Sequence, residues 1–261
     1  MHTYCALKKR LNFVNYEFFS QKIDYYDSNI TMTILSNIKN VRQDIKNACC
    51  KYHININKLK LLAVSKTHPT SAIQAAFESG ITEFGESYLQ EAIEKIQSLQ
   101  QKAIVWHFIG PIQSNKTRQI ASHFDWVQSV DRKKLLTRLN DQRPSELKPL
   151  NICIQLNYFN EPQKKGVNQE ELPDLLDLAE QLPNIRLRGF MAIPPKTNCF
   201  ETQLSQYKKI AACFYRYQKD FPHMDTLSIG MSADIEAAIA SGSTMIRVGT
   251  ALFGQRTTIN D

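Results

Sequence analysis

The sequence predicts an α/β protein folded as a TIM-type (β/α)8 barrel. Eight short apolar stretches of the strand type alternate with helix-like stretches between residues 59 and 254. Strands this apolar are usually covered on both faces, as in parallel sheets, and eight β/α repeats in about 250 residues are typical of the barrel. The main alternative is a doubly wound open sheet, but no G-x-G-x-x-G motif follows the first strand.

An amphipathic helix opens the regular part of the chain. Apolar residues recur at three- and four-residue spacing between residues 34 and 52, which predicts one apolar helix face. The predicted strands are 59–65, 82–86, 103–110, 126–130, 150–157, 185–193, 226–232 and 244–254. The helix-like stretches between them are 71–80, 88–101, 114–124, 131–141, 169–182, 200–219 and 232–242. Few residues follow the eighth strand, so we expect the N-terminal helix to replace the last barrel helix.

Residues 1–31 differ from the rest of the chain. They are rich in aromatic residues and asparagine, show no clear period, and lack the continuous apolar run of a secretory signal. One arginine and three acidic residues argue against a transit peptide. We therefore expect 1–31 to be a poorly ordered extension and 32–261 to form the barrel domain.

The composition is that of an ordinary globular protein of the cytoplasm. Apolar residues make up 43% of the chain and charged residues 22%, and no apolar run reaches the roughly 18–20 residues that a membrane span requires. The formal net charge is +7, but the basic residues are spread along the chain. This charge suits an acidic ligand better than nucleic acid. The six cysteines form no C-x-x-C motif, which indicates reduced thiols and no zinc site.

The candidate site lies where the predicted strands end. In a (β/α)8 barrel the carboxyl ends of the strands line the active face. Lys66 ends the first strand, and Ser232 ends the seventh strand as an N-cap candidate for the next helix. Arg247, Gly249 and Thr250 lie in the eighth strand and at its exit.

These residues allow more than one interpretation. A helix N-terminus, a glycine and a threonine hydroxyl together suit a phosphate group, although each alone is more often a structural cap or bend. Lys66 is either a strand-end lysine that reaches for water or a desolvated amine that captures a carbonyl compound. His107, within the third strand, either stacks near a cofactor or is a hydrogen-bonded core residue.

Several motifs resemble one protein family. The stretches "LLAVSKTHP", "FGES", "WHFIGPIQSNK", "RGFMAIP" and "LSIGMSADIEAAIASGSTMIRVGTALFG" occur in this order within residues 32–256. They are similar to motifs of the pyridoxal phosphate homeostasis proteins, the YggS/PROSC family. That resemblance implies a barrel like the N-terminal domain of alanine racemase, of fold type III, with pyridoxal 5′-phosphate (PLP) as the cofactor.

The resemblance also implies roles for the candidate residues. Lys66 matches the lysine that forms the internal aldimine with PLP. Arg247 matches the arginine that faces the pyridine nitrogen, where its charge disfavours protonation of the ring and weakens the electron sink. The positions that match phosphate binding are Ser232, Gly249 and Thr250. Family members usually read F-G-E-N, so Ser87 replaces an asparagine and lacks its amide.

Three classes of function are open at this point. The first is a PLP-binding protein of intracellular PLP homeostasis, and the second is a fold-type III racemase or decarboxylase of amino acids. The third is a PLP-free aldolase that uses Lys66 on its own substrate. Fold-type III enzymes complete their active sites with a C-terminal β domain, and this chain stops soon after the barrel. We therefore expect a monomeric, non-enzymatic PLP-binding protein, with PLP-dependent apo-enzymes as candidate partners.

Overall fold

Eight strands form the centre of the fold. The computed structural model describes residues 31–100 and 102–255, so the expected extension at 1–31 lies outside the described residues apart from its last position. The strands are β1 (Lys60–Val64), β2 (Glu83–Glu86), β3 (Val105–Phe108), β4 (Trp126–Val130), β5 (Leu150–Leu156), β6 (Ile185–Ala192), β7 (Thr226–Ser228) and β8 (Met245–Val248). They are parallel, follow one another in chain order and close where β8 pairs with β1. The predicted barrel is confirmed.

Helices occupy every gap between the strands, as predicted. Helices α2 to α8 lie in these gaps, α1 precedes β1 and α9 follows β8. The described helices are α1 (31–51), α2 (Thr70–Glu78), α3 (Leu89–Ser98), α4 (Thr117–His123), α5 (Lys133–Asp141), α6 (Leu172–Glu180), α7 (Phe200–Gln218), α8 (Ile235–Ala240) and α9 (Thr250–Phe253). No helix among the described residues is both long enough and apolar enough to cross a membrane.

The last two strands end earlier than the sequence predicts. The predicted strand 226–232 stops at Ser228, because Gly230 has a φ of +96° and turns the chain away from the sheet. A Cβ at Gly230 would lie 2.4 Å from the Cβ of Ala238, so only glycine fits there. The predicted strand 244–254 stops at Val248, and the apolar residues after it form α9 instead.

Helix α1 fills the place of a last barrel helix, as predicted. Its apolar face is buried, and at its end Lys51 forms an ion pair with Glu236 of α8 over 2.7 Å. On the opposite side, Arg42 of α1 lies beside Gly80, two residues after the end of α2. The helix therefore packs between α8 and α2 and completes the outer ring.

The barrel has an apolar outer core and a more polar interior. Large aromatic side chains such as Phe84, Phe190 and Phe214 fill the layer between strands and helices. The interior holds a small apolar cluster around Trp126 and Met191. Charged and polar side chains are buried there as well, namely His107, Gln128, Ser228 and Arg247, and Glu83 is half-buried. A buried polar group needs hydrogen-bond partners, so the interior is the part of the fold that most needs an explanation.

Candidate functional site

The exits of β1 and β8 lie side by side at the carboxyl face of the barrel. The register of the two strands pairs Ala63 with Val248. Lys66 follows in a turn two residues beyond the end of β1, and Gly249 directly follows β8. A Cβ at Gly249 would come within 3.3 Å of the carbonyl oxygen of Val64, so the two backbones are closely packed at this point. The structure thus brings the predicted lysine next to the exit of β8.

Ser232 joins the exit of β7 to the same place. Its Oγ accepts a hydrogen bond of 3.4 Å from the backbone N–H of Ala251, in the first turn of α9, which begins at Thr250. The prediction that Ser232 caps the following helix is wrong. Asp234 holds the N-cap position of α8, and its Oδ1 accepts a bond of 2.5 Å from Met231 N, which folds Ser232 into the intervening turn.

The turn that carries Ser232 is anchored from below by a buried tyrosine. Tyr207 of α7 is fully buried, and its hydroxyl donates to Asp234 Oδ2 over 2.9 Å. Burial raises the pKa of Tyr207, and the charge of Asp234 raises it further, so the phenol keeps its proton and remains a donor. The sequence analysis did not single out this pair, because a tyrosine in an amphipathic helix has the pattern of ordinary core.

The position of Lys66 is fixed by hydrogen bonds that its two neighbours, Ser65 and Thr67, make to other parts of the fold. Lys66 is half-buried in the turn after β1. Ser65 Oγ donates to Glu86 Oε1 over 2.6 Å, and Thr67 N donates to Glu91 Oε1 over 2.6 Å. Thr67 has a φ of +66°, a left-handed conformation that is rare for a β-branched residue. The turn is therefore strained and clamped, as is common at functional sites.

A buried lysine links the two carboxylates of this clamp. Lys95 Nζ donates to Glu86 Oε1 over 2.8 Å, to Glu91 Oε1 over 2.5 Å and to the carbonyl oxygen of Ser65 over 2.8 Å. Burial raises the pKa of Glu86, although Lys95 and Ser65 act in the opposite direction. Glu86 Oε2 has no hydrogen-bond partner among the described residues. The sequence shows Glu91 and Lys95 only as a four-residue helix pair, which is usually a surface feature.

Arg247 lies one layer below the mouth, inside the barrel. It is 5% exposed. Its Nη1 donates to the carbonyl oxygen and the Oγ of Ser228 over 2.6 and 2.9 Å, and its Nη2 donates to the carbonyl oxygen of Ala192 over 3.2 Å. Burial lowers its pKa, but an arginine stays charged in proteins. Within the described residues, none of these bonds is to a carboxylate, so the charge has only neutral partners.

Two further residues from the sequence analysis have clear positions. His107 is fully buried, bonds to Gln128 and stacks on Trp126 with ring centroids 5.1 Å apart. Of the two roles that the sequence allowed for His107, the structure shows the hydrogen-bonded core residue. Ser87 is half-buried at the exit of β2. Its carbonyl oxygen packs closely on Gly110, because a Cβ added to Gly110 would lie 2.1 Å from that oxygen.

The arrangement suits a phosphorylated carbonyl compound. A cavity of about 310 Å³ opens at the exits of β3, β5 and β6, with Asn157 and Met191 in its lining. The neighbouring exits of β1, β7 and β8 bring one lysine, two hydroxyls and one buried cation. In the described part of the chain, no group of three or more His, Cys, Asp or Glu side chains could hold a metal ion. The lysine amine therefore suits an aldehyde, the hydroxyls suit a phosphate, and the buried cation suits an aromatic nitrogen acceptor. These three groups occur together in PLP.

Comparison with known proteins gives consistent matches over the barrel. Residues 34–257 match the family model described as alanine racemase, N-terminal domain. The chain is 48% identical to the pyridoxal phosphate homeostasis protein of Vibrio alginolyticus over 228 residues, which cover 86% of this chain and 98% of that protein. It is 47% identical to the protein of the same name from Escherichia coli strain K12 over 226 residues, covering 85% and 97% of the two chains.

Solved structures agree with the fold. The structure of PipY from Synechococcus elongatus PCC7942 with PLP bound has a TM-score of 0.74 and 32% identity, and the match covers 85% of this chain and all of PipY. Alanine racemase from Corynebacterium glutamicum has a TM-score of 0.66 at 14% identity, with 87% and 61% of the two chains covered. The second match shows the fold alone and confirms the predicted likeness to the alanine racemase barrel.

Proposed function

The chain belongs to the pyridoxal phosphate homeostasis proteins, within the alanine racemase N-terminal domain family, and we propose that it holds PLP as a Schiff base on Lys66 and serves intracellular PLP homeostasis. One observation carries this proposal. Lys66, Ser232 and Gly249 leave three adjacent strands at one face, directly above the buried cation of Arg247. The set offers a separate partner for each polar group of the cofactor.

Lys66 is the covalent attachment point in this proposal. The aldehyde of PLP condenses with a neutral amine, forming a carbon–nitrogen double bond and releasing water. The clamped turn supports this role, because bonds from Ser65 and Thr67 fix the backbone on both sides of the lysine. The amine is thereby presented from a fixed position, which favours reaction at one side chain.

The phosphate group is assigned to the exits of β7 and β8. Among the described residues, Ser232 Oγ accepts a long bond of 3.4 Å from Ala251 N, which is weak by the usual geometric criteria. Both groups are donors that a phosphate oxygen would engage more strongly, because hydrogen bonds to charged acceptors are about twice as strong as neutral ones. Gly249 and Thr250 add a close backbone approach and a second hydroxyl.

Arg247 is assigned to the side of the pyridine nitrogen. Its cation already bonds to neutral oxygens of Ser228 and Ala192, and an unprotonated ring nitrogen is a further neutral acceptor. A fixed positive charge there keeps a proton off the ring, so the cofactor is a poor electron sink for carbanion chemistry. We therefore propose binding without efficient racemisation or decarboxylation, in preference to the fold-type III enzyme alternative.

The proposed setting follows from the sequence expectations. We propose that the chain acts as a monomer in the cytoplasm and that PLP-dependent apo-enzymes receive PLP from it. Light scattering of the purified chain tests the first part, because a monomer has a mass of 30.0 kDa. Transfer is tested by restoring activity to an apo-enzyme with the PLP-loaded protein, and a rate no faster than that with free PLP would contradict direct transfer.

An absorbance spectrum and a turnover assay test the central proposal. Purified protein with PLP should show a visible, pH-sensitive Schiff-base band, whereas a PLP-free aldolase would show none. Chiral chromatography of common amino acids incubated with the loaded protein should show no efficient turnover. Rates of about 1 per second or faster, ordinary for enzymes, would contradict the non-enzymatic part of the proposal.

A further inference from the structure

A chain of hydrogen bonds crosses the barrel interior below the candidate site. Arg247 Nη1 donates to Ser228 Oγ over 2.9 Å, and Ser228 Oγ donates to Gln128 Oε1 over 2.7 Å. Gln128 Nε2 then donates to His107 Nδ1 over 2.9 Å. The bonds join β8, β7, β4 and β3, so they run from one wall of the barrel to the other.

This chain of hydrogen bonds leads towards an ionised carboxylate. His107 Nε2 lies 3.1 Å from Glu83 Oε2, without linear hydrogen-bond geometry, and Lys60 Nζ donates to Glu83 Oε1 over 2.7 Å. Burial alone would raise the pKa of Glu83, but the neighbouring His107 and the bonded, charged Lys60 outweigh burial and lower it to about 2. Glu83 is therefore negative at neutral pH.

Every donor in the chain points away from Arg247. Gln128 has its amide nitrogen towards two acceptors, His107 Nδ1 and Met245 Sδ at 3.2 Å, and its oxygen towards the Ser228 hydroxyl. His107 must then carry its proton on Nε2, facing Glu83. Burial lowers the pKa of His107, so the ring is neutral and this single proton sets its direction. Hydrogen bonds aligned head to tail polarise one another.

This alignment matters because Arg247 is a buried cation whose described bonds are all to neutral atoms. An uncompensated buried charge is strongly destabilising. Tyr207, Asp234 and Cys153 are near enough to favour its charged form, but the bonded route from the guanidinium leads to His107, whose Nε2 lies 3.1 Å from Glu83 Oε2. Ser228 Oγ is the one side-chain acceptor among its described bonds, and Gln128 fixes where that hydroxyl points.

We propose that Gln128 and His107 are positioning residues that hold the Arg247 guanidinium, through Ser228, in the orientation that serves the cofactor ring. The inference rests on the proposed function, because Arg247 is assigned to the pyridine nitrogen there. A positioning role of Gln128 differs from a purely structural role in one respect. If Gln128 only filled the barrel, its loss would affect PLP binding independently of Arg247.

A double-mutant cycle on the full chain tests this distinction, because linked residues give non-additive effects. The variants are Gln128→Leu, Arg247→Lys and the double variant, with Ser129→Ala as the control. Ser129 is the next residue on β4 and is also buried, but its hydroxyl bonds to the carbonyl oxygen of Gly110 outside the chain of bonds. The dissociation constant of PLP and the pH midpoint of the Schiff-base band are measured for each protein.

We expect Gln128→Leu to weaken PLP binding about tenfold in the natural background, as for loss of a bond to a charged group, and to shift the pH midpoint. In the Arg247→Lys background the same change should weaken binding less than about twofold, and Ser129→Ala should leave the pH midpoint unchanged. An equal effect of Gln128→Leu in both backgrounds would overturn the inference and leave the proposed function standing. Absence of the band in both the natural protein and Ser129→Ala would overturn the proposed function and this inference together.

A measurement without PLP tests the direction of the chain and covers the case in which Gln128→Leu does not fold. Nitrogen-15 NMR of the imidazole rings, assigned with a His107→Gln variant, should show His107 neutral and protonated at Nε2. In Gln128→Glu the new carboxylate can only accept, so His107 should acquire a proton on Nδ1. A natural protein with the proton on Nδ1, or a Gln128→Glu protein with an unchanged His107, would overturn the inference.

Discussion

The backbone N–H of Thr67 donates a hydrogen bond of 2.6 Å to Glu91 Oε1, so helix α3 holds the residue that directly follows Lys66. Thr67 has a φ of +66°, and a residue in such a conformation persists only where its surroundings impose it. Glu91 also accepts from Lys95, which bonds to Ser65 on the other side of Lys66. The lysine turn is therefore part of one connected network.

Replacing Glu91 with alanine should loosen this turn. We expect Glu91→Ala to lower the free energy of unfolding by about 1–3 kcal/mol, because Thr67 and Lys95 each lose a charged partner. PLP should also bind more weakly, since Lys66 is no longer held in place. Urea unfolding and PLP titration measure the two effects. Glu94→Ala is the control, because Glu94 is exposed on the same helix, and equal effects of the two variants would contradict the clamp.

Ser232→Ala should weaken PLP retention without preventing the Schiff base. Loss of one hydrogen bond to a charged phosphate corresponds to roughly 1.5–3 kcal/mol, or about ten- to a hundredfold in affinity. At saturating PLP the visible band should still form, because Lys66 is intact. Ser122→Ala on the exposed face of α4 is a suitable control. An unchanged dissociation constant for Ser232→Ala would remove Ser232 from the phosphate site.

Glu83 should make the stability of the protein depend on pH in acid. Its pKa is lowered from 4.5 to about 2 in the folded state, so the unfolded chain binds its proton more readily. The stabilisation is present above pH 4.5 and is lost as the pH falls through about 2. Glu83→Gln should lower the free energy of unfolding by about 2–3 kcal/mol at pH 7. The difference from the natural protein should shrink below pH 4.5; a difference independent of pH would contradict an ionised Glu83 in the folded protein.

The sequence was sufficient to predict the barrel and to propose candidate site residues that the barrel brings to one face. Alternating apolar strands and helices determined the topology, and motif order placed Lys66, Ser232 and Arg247 at neighbouring strand exits. The ends of β7 and β8 were predicted too late, because "IGMS" and "TALF" are as apolar as the strands before them. The backbone turn at Gly230 separates "IGMS" from β7, and "TALF" forms helix α9 after β8.

The supporting residues could not be predicted in the same way. Glu86 and Lys95 have the pattern of charged surface residues, and only the packing of α3 against β1 and β2 buries them together. Gln128 gives no signal at all in the sequence, because a glutamine in an apolar strand has no preferred face. Its importance depends on which residues the closed barrel places opposite it, which is a property of the tertiary structure.

The N-terminal residues should be dispensable for PLP binding. We propose that a shortened chain beginning at Met32 folds and binds PLP like the full chain, because it keeps the barrel and all but the first residue of the closing helix α1. Circular dichroism and PLP titration of the two chains make the comparison. Loss of folded protein, or weaker PLP binding by the shortened chain, would contradict the proposal.

The most direct test of the account is borohydride reduction of the PLP-loaded protein, followed by peptide mapping. Reduction converts the Schiff base to a stable amine and so marks the lysine that carried PLP. We predict that the label is found on Lys66, that Lys66→Ala loses both label and visible band while keeping its fold, and that Lys116→Ala, a change of an exposed lysine in the loop after β3, keeps both. A label on Lys116 or Lys164, or a visible band that survives in Lys66→Ala, would contradict the assignment.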